Sequence, residues 1–308
     1  MYTYGPVPSR RLGRSLGVSP IPSKTCSYSC VYCQLGRTKN LTIERKSYFP
    51  KDDILSEILK NAGGSKPDYI TFAGDGEPTL CQDLGWLINK TKERLRLPIA
   101  VITNGSLLFL KDVRRDLKEA DVVLPTLDAG NEKVFRHTNR PHGDIGFYTM
   151  LGGQIDFRHD YAGQIWLEVM LVSGLNDSEE ELSNIKQAVD MIKPDRVYVV
   201  TPIRPPAESW VKPSSPENIL KAQKILGKVE SLVGLESGEF GLHEFSNARQ
   251  AILEIGSRHP LRWEQAVDIE NAFSEPNTIN QMLEGKKLVK VNFNNSWYLL
   301  PGHFVRGE

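Results

Sequence analysis

Histidine and cysteine are scarce in this chain: six and four among 308 residues, with no histidine before His137. Four cysteines in a chain of this length do not form a disulfide framework, which belongs to short secreted domains dense in cysteine. The lack of early histidines denies the N-terminal half the usual fourth ligand of a structural zinc knuckle. No apolar run approaches the ~20 residues that cross a bilayer as a helix, so no membrane association is expected. The opening MYTYGPVPSRR has no apolar leader segment, and a cytoplasmic location with reduced thiols is expected. There is no low-complexity segment. With 40% hydrophobic and 25% charged residues, the composition is that of an ordinary globular protein. One large domain is expected, or one of about 200 to 250 residues with a small appendage.

Zero net charge conceals an asymmetry. Residues 1–51 hold nine Lys or Arg against a single acid, Glu44, and the rest of the chain carries the balancing negative excess. Basic charge gathered at one end points either to an anionic ligand nearby or to a solvated face.

Within that basic stretch, Cys26, Cys30 and Cys33 lie inside eight residues, spaced C-x-x-x-C-x-x-C. Thiolates are soft ligands, and three on one loop can meet at a metal centre without distant chain. Three is one short of a closed tetrahedral site, which leaves a position for something other than protein. Tyr32 completes the pattern C-x-x-x-C-x-aromatic-C. This resembles the cluster-binding loop of the radical S-adenosylmethionine (radical SAM) enzymes. The resemblance implies that Cys26, Cys30 and Cys33 hold a [4Fe–4S] cluster. The fourth iron would be chelated by the amino and carboxylate groups of S-adenosylmethionine.

Around the loop the chain alternates short apolar runs with helical periodicity. Strands are predicted at 15–19, 69–73, 98–103, 121–127, 165–171 and 196–201. Helices are predicted at 51–62, 83–95, 111–119, 144–157, 178–192 and 216–233. The segment from Gly5 is read as a Pro-rich turn that leads into the first strand. Six βα units predict an α/β fold, a partial (β/α)6 barrel with a parallel sheet and its site at the strands' C-terminal ends. The barrel domain is expected to occupy residues 1–240. Residues 241–308 change character, with helices predicted at 248–255, 263–272 and 276–283. A hairpin follows across 287–300, turning at Asn294-Asn295. Three helices and a hairpin make a winged-helix-like pattern. From residue 241 onward there are seven basic residues against eight acids. That balance is poor for phosphate neutralisation, so duplex DNA is not the expected partner, and protein contact or substrate capping is.

Each predicted strand end carries a motif. After the second strand stands Gly74-Asp75-Gly76-Glu77-Pro78, where glycines let a ligand approach the backbone. It resembles the radical SAM G-G-E-P motif, whose backbone groups bond the methionine amino group, with Asp75 where glycine is commonest. Thr103-Asn104-Gly105 resembles the family's T-N-G segment, and Thr126-Leu127-Asp128-Ala129 its S/T-L-D-A pattern. The resemblance implies cofactor contacts by Gly74, Asp75, Gly76, Glu77, Asn104 and Asp128. Read alone, Asn104-Gly105 only turns the chain and Asp128 caps a helix. Glu168, within a run that should be buried, either faces the lumen as a ligand contact or pairs with a structural arginine. The loop Arg136-His137-Thr138-Asn139-Arg140-Pro141-His142 is a candidate substrate region or a solvated loop. Arg204 sits at another strand tip, and lone Cys81 reads as a small buried hydrophobe.

The family's chemistry is reductive cleavage of S-adenosylmethionine to a 5′-deoxyadenosyl radical that abstracts hydrogen from a substrate. A reductase, ferredoxin or flavodoxin would supply the electron. The G-P-V-P-S-R-R-L-G start with G-D-G-E-P-T-L resembles a group placed near the wyosine-forming tRNA enzymes, which favours a tRNA base as substrate; a protein docked by the winged helix is equally expected, and a phosphorylated small molecule is the remaining alternative. The alternative of another class is a metal-stabilised nucleic-acid-binding module without catalysis. Replacing Cys26, Cys30 or Cys33 singly by Ala is expected to lower the iron content and visible absorbance of the anaerobically reconstituted protein. Unchanged iron and spectrum in any one variant would remove that cysteine from the ligand set.

Overall fold

The apolar runs become adjacent strands of one sheet because each is apolar on both faces and must be covered on both. The computed structural model describes residues 1–227, 229–232, 238 and 240–304. The chain begins with β1 (Thr3–Ser9) and β2 (Gly13–Val18). A short pair, β3 (Thr25–Cys26) and β4 (Asn40–Leu41), closes the base of the cysteine loop. Then follow α1 (Lys51–Ser65), β5 (Tyr69–Phe72), α2 (Leu84–Arg94), β6 (Ile99–Thr103), α3 (Lys111–Asp116) and β7 (Val122–Pro125). After α4 (Glu132–Thr138) and α5 (Phe147–Asp160) come β8 (Gln164–Met170), α6 (Glu179–Ile192), β9 (Arg196–Val200), α7 (Pro216–Leu226) and β10 (Glu230–Ser231).

The sheet order is β1-β2-β5-β6-β7-β8-β9-β10, parallel throughout except for the antiparallel β1–β2 pair. Strand alternation divides the burial. Leu16, Val101, Val123, Leu167 and Val199 face outward onto Ile54, Ile58, Leu87 and Ile185 of the helices. Ala100, Val122, Leu124, Trp166 and Tyr198 fill the inner face with Leu12. The result is a mixed α/β fold with an open, mostly parallel sheet, helices outside, and the strands' C-terminal ends left to build a site.

The structure departs from the sequence reading in places. The Pro-rich start is strand β1, not a turn, although it contains Pro6 and Pro8. Proline lacks a ladder donor and survives in sheets at edges, and β1 is an edge with a register shift between Tyr4 and Val7. Helix α7 stops at Leu226 because Gly227 takes a positive φ of 90°. The predicted end of that helix at Val233 lies outside the described residues. Short α4, within the loop after β7, was not anticipated.

Residues 245–299 gather around a second hydrophobic core that includes Ile252, Ile255, Ile269, Met282 and Leu299. It is built from α8 (Ala248–Arg258), β11 (Leu261–Arg262), α9 (Trp263–Ala272), α10 (Thr278–Glu284), β12 (Leu288–Phe293) and β13 (Ser296–Pro301). The strands form an antiparallel sheet in the order β11-β13-β12. Asn294 and Asn295 turn the hairpin with φ of 48° and 60°, the left-handed pair that a tight two-residue turn requires.

This C-terminal unit rests on the barrel through polar contacts. Asn61 Nδ2 of α1 donates to Glu244 Oε2 at 2.6 Å, and Tyr298 Oη donates to the Ile203 carbonyl at 2.5 Å. Burial, then nearby Glu57, pushes the Glu244 carboxyl up to about 7, and its Oε1 is buried without a partner. A carboxyl raised on folding binds its proton more tightly in the native state. Its contribution to stability is therefore complete near pH 4 and is lost as pH rises through about 7. Glu244→Gln, which stays neutral, is expected to gain melting temperature relative to wild type between pH 5 and pH 8. A pH-independent difference between the two proteins would remove Glu244 as the source.

Candidate active site

The cysteine loop is held from two sides by backbone. On one side, Lys24 N donates to the Asp75 carbonyl at 2.6 Å and Glu77 N to the Thr25 carbonyl at 3.1 Å, joining it to the turn after β5. A side chain at Gly76 would place its first carbon 1.8 Å from the Thr25 carbonyl oxygen, so only glycine permits the approach. On the other side, Val31 N donates to Thr138 O at 3.0 Å and His142 N to Ser27 O at 2.8 Å.

The three loop thiols are free and half-buried. Burial pushes Cys26 up to about 12, with nearby Glu77 adding to the effect, and raises Cys30 and Cys33 as well. Bare thiolates are thus disfavoured here, and a bound cation would reverse that preference. Two amides approach the sulfurs: Asn104 Nδ2 is 3.5 Å from Cys26 Sγ, and Asn139 Nδ2 is 3.6 Å from Cys30 Sγ. Among the described residues no three His, Cys, Asp or Glu side chains converge as ligands of a single metal ion. A soft donor set of three thiols, met by N–H donors, fits an iron–sulfur cluster.

Beside the loop is a cavity of about 360 Å³ at the strands' C-terminal ends, lined by Cys26, Cys33, Gly74, Gly76, Asn104 and Glu168 among others. That volume suits a small-molecule ligand of nucleoside size. Glu77 also borders it, but its carboxylate is wholly engaged by protein. It accepts from Thr79 N at 3.0 Å, Thr79 Oγ1 and Thr103 Oγ1 at 2.6 Å, and Asn104 N at 2.7 Å. Glu168 lines the cavity and pairs with Arg11, the structural-arginine reading of this residue.

Two expected cofactor contacts point elsewhere. Asp128 is buried outside the cavity lining. It accepts from the Tyr32 hydroxyl, from Asn139 Nδ2 at 2.7 Å and from Met170 N at 2.8 Å. Burial lifts this carboxyl to about 6 despite the three donors. It braces the cysteine loop rather than a ligand. The Asp75 side chain turns to Arg258 Nε of α8, at 3.1 Å, while Gly74 and Gly76 on either side of it border the cavity.

The early basic residues are largely engaged within the molecule: Arg11 with Glu168, Arg37 with Glu208, and Arg45 with Asp112 and Asp116. Arg140 joins Glu208 at 2.5 Å, and Thr138 and Asn139 are buried, so the 136–142 loop is not simply solvated. Cys81 is buried, as a small apolar residue would be. Three residues the motifs did not mark also belong to the site. Asn139 lay in a noted loop without an assigned partner. Arg258 and His259 reach the cavity from the C-terminal unit, and no local sequence signal could have placed them there.

Residues 21–153 match the family model described as the Radical SAM superfamily. The cysteine loop thus lies in a radical SAM domain, of the superfamily that uses a [4Fe–4S] cluster and S-adenosylmethionine. The chain belongs to the UPF0026 family: it is 39% identical over 310 aligned residues to a UPF0026 protein of Methanocaldococcus jannaschii, covering 96% of this chain and 95% of that one. Among solved structures it is similar in fold to TYW1 with a lysine–pyruvate adduct bound (TM-score 0.54, 16% identity, 72% of this chain and 76% of that one). It is also similar to Streptococcus suis SuiB bound to S-adenosylmethionine (TM-score 0.52, 16% identity, 70% of this chain and 50% of that one). No described helix is long and apolar enough to cross a membrane.

Asp128→Ala would strand three donors in a dry environment, at about 1 to 3 kcal/mol for each group left unpaired. The variant is expected to unfold in urea several kcal/mol below wild type. A loss under 1 kcal/mol would mean that the brace is dispensable.

Proposed function

We propose that this protein is a radical SAM enzyme whose Cys26, Cys30 and Cys33 bind a [4Fe–4S] cluster, with S-adenosylmethionine in the adjoining cavity. The observation that carries the reading is that two of the three desolvated thiols, Cys26 and Cys33, line a cavity of about 360 Å³ walled by the tips of parallel strands. Cys26, Cys30 and Cys33 would hold the cluster, which would supply one-electron reducing chemistry for radical generation from S-adenosylmethionine bound beside it.

The chain's own residues bind and orient. Gly74 and Gly76 leave room for the methionine moiety to meet backbone groups, and Glu77 fixes the turn that presents them. Asn104 and Asn139 direct N–H donors at cysteine sulfurs, which favours negative charge there. Glu168 and Arg11 set a paired polar wall opposite the loop, against which ribose or substrate groups can be oriented.

In this reading residues 1–240 carry the chemistry, and residues 241–308 form a winged-helix-like unit that docks the substrate, a tRNA base or a protein. A reductase, ferredoxin or flavodoxin delivers the electron in the cytoplasm. The cavity argues against a non-catalytic metal-stabilised nucleic-acid module, which has no use for a ligand pocket beside its cysteines. Anaerobic reconstitution followed by S-adenosylmethionine and dithionite is expected to yield 5′-deoxyadenosine on chromatography, and Cys26→Ala to yield none. A colourless wild-type protein carrying zinc would overturn the assignment.

A further inference from the structure

Asp75 is the one residue of the turn after β5 whose polar groups all leave for different parts of the molecule. Its N–H donates to Ser19 Oγ, just past β2, at 3.3 Å, and its carbonyl accepts from Lys24 N of the cysteine loop. Its carboxylate takes Arg258 Nε of the C-terminal unit. Both side chains of that ion pair are less than a tenth exposed. Arg258 is fixed in turn: Nη1 donates to Glu254 Oε2 at 3.0 Å, Nη2 to the Met1 carbonyl at 3.1 Å, and the guanidinium lies over the Tyr4 ring at 5.3 Å. Its carbonyl accepts from Gln34 Nε2 at 3.0 Å, one residue beyond Cys33. The C-terminal end of α8 is therefore tied both to the turn that flanks the cavity and to the cysteine loop, and Arg258 itself lines the cavity.

Removing one partner of a buried ion pair leaves an uncompensated charge, so neither half of this junction can shift without cost to the other. We propose that Arg258 is a positioning residue that couples the two units, so that S-adenosylmethionine binding at the Gly74–Gly76 turn and the seating of the C-terminal unit stabilise each other. This rests on the assignment of the cavity to S-adenosylmethionine. It gives the Asp75 carboxylate a purpose, where the family's commonest motif has a glycine with no side chain to offer. The coupling is reciprocal by linkage: whatever loosens the C-terminal unit weakens cofactor binding by the same factor.

The test is hydrogen–deuterium exchange on the reconstituted full chain, with and without S-adenosylmethionine, together with equilibrium dialysis. In wild type the ligand is expected to slow exchange both at residues 73–79 and in α8. Arg258→Ala is expected to bind about tenfold more weakly and, at saturation, to keep protection at 73–79 while losing it in α8, with Arg258→Lys restoring part of both effects. Asp75→Asn, nearly the same size, should reproduce the uncoupling and carries the test if Arg258→Ala does not fold. Persistent α8 protection in Arg258→Ala or Asp75→Asn at saturation, or wild-type protection confined to 73–79, would overturn the coupling. Absence of protection at both segments in wild type would overturn the cavity assignment itself.

Discussion

One buried carboxylate holds the site together. Glu77 is withdrawn from water, which raises its proton affinity, and it is kept there by four donors from Thr79, Thr103 and Asn104. A buried acceptor with this many lone pairs to satisfy tolerates no drift of its donors. Two of those donors, Thr103 Oγ1 and Asn104 N, sit at the end of β6, so the turn after β5 is locked to the neighbouring strand tip. Gly76, pressed against the Thr25 carbonyl, then locks the cysteine loop to the same turn. Position of thiols, turn and strand tip follows from a single residue's demand for hydrogen bonds.

A second carboxylate repeats the arrangement on the other flank. Asp128 gathers Tyr32, Asn139 and the backbone of Met170, and Asn139 also reaches Cys30. The loop that offers metal ligands is thereby stiffened by residues that need not touch a metal, so its ligands are presented in a fixed relation before anything binds. The basic excess of the first 51 residues has a related explanation. Arg11, Arg37 and Arg45 reach acids later in the chain, so the charge asymmetry visible along the sequence is in part closed within the fold.

The six parallel strands and the cysteine loop were legible because their signals are local: a run apolar on both faces, and three thiols within eight residues. β1 was not, since Pro6 and Pro8 read as turn residues unless one knows the strand is at an edge. The strand-tip motifs located the site, but could not say which way a side chain turns. Asp75 and Asp128 both stand at strand ends, yet each points at protein, one toward α8 and the other toward Tyr32. A carboxylate's direction depends on partners distant in sequence: Arg258 lies in another structural unit, and periodicity carries no trace of it.

The order in which the strands are laid down has a consequence for biosynthesis. Each parallel strand from β2 onward pairs with the next one made, so the barrel can be assembled stepwise as the polypeptide emerges. The backbone partners that hold the cysteine loop from both sides, in the turn after β5 and at Thr138 and His142, are all made before Arg258, which ties α8 to that loop. In the order of synthesis the cysteine loop and its braces therefore precede the C-terminal unit that is tied to them.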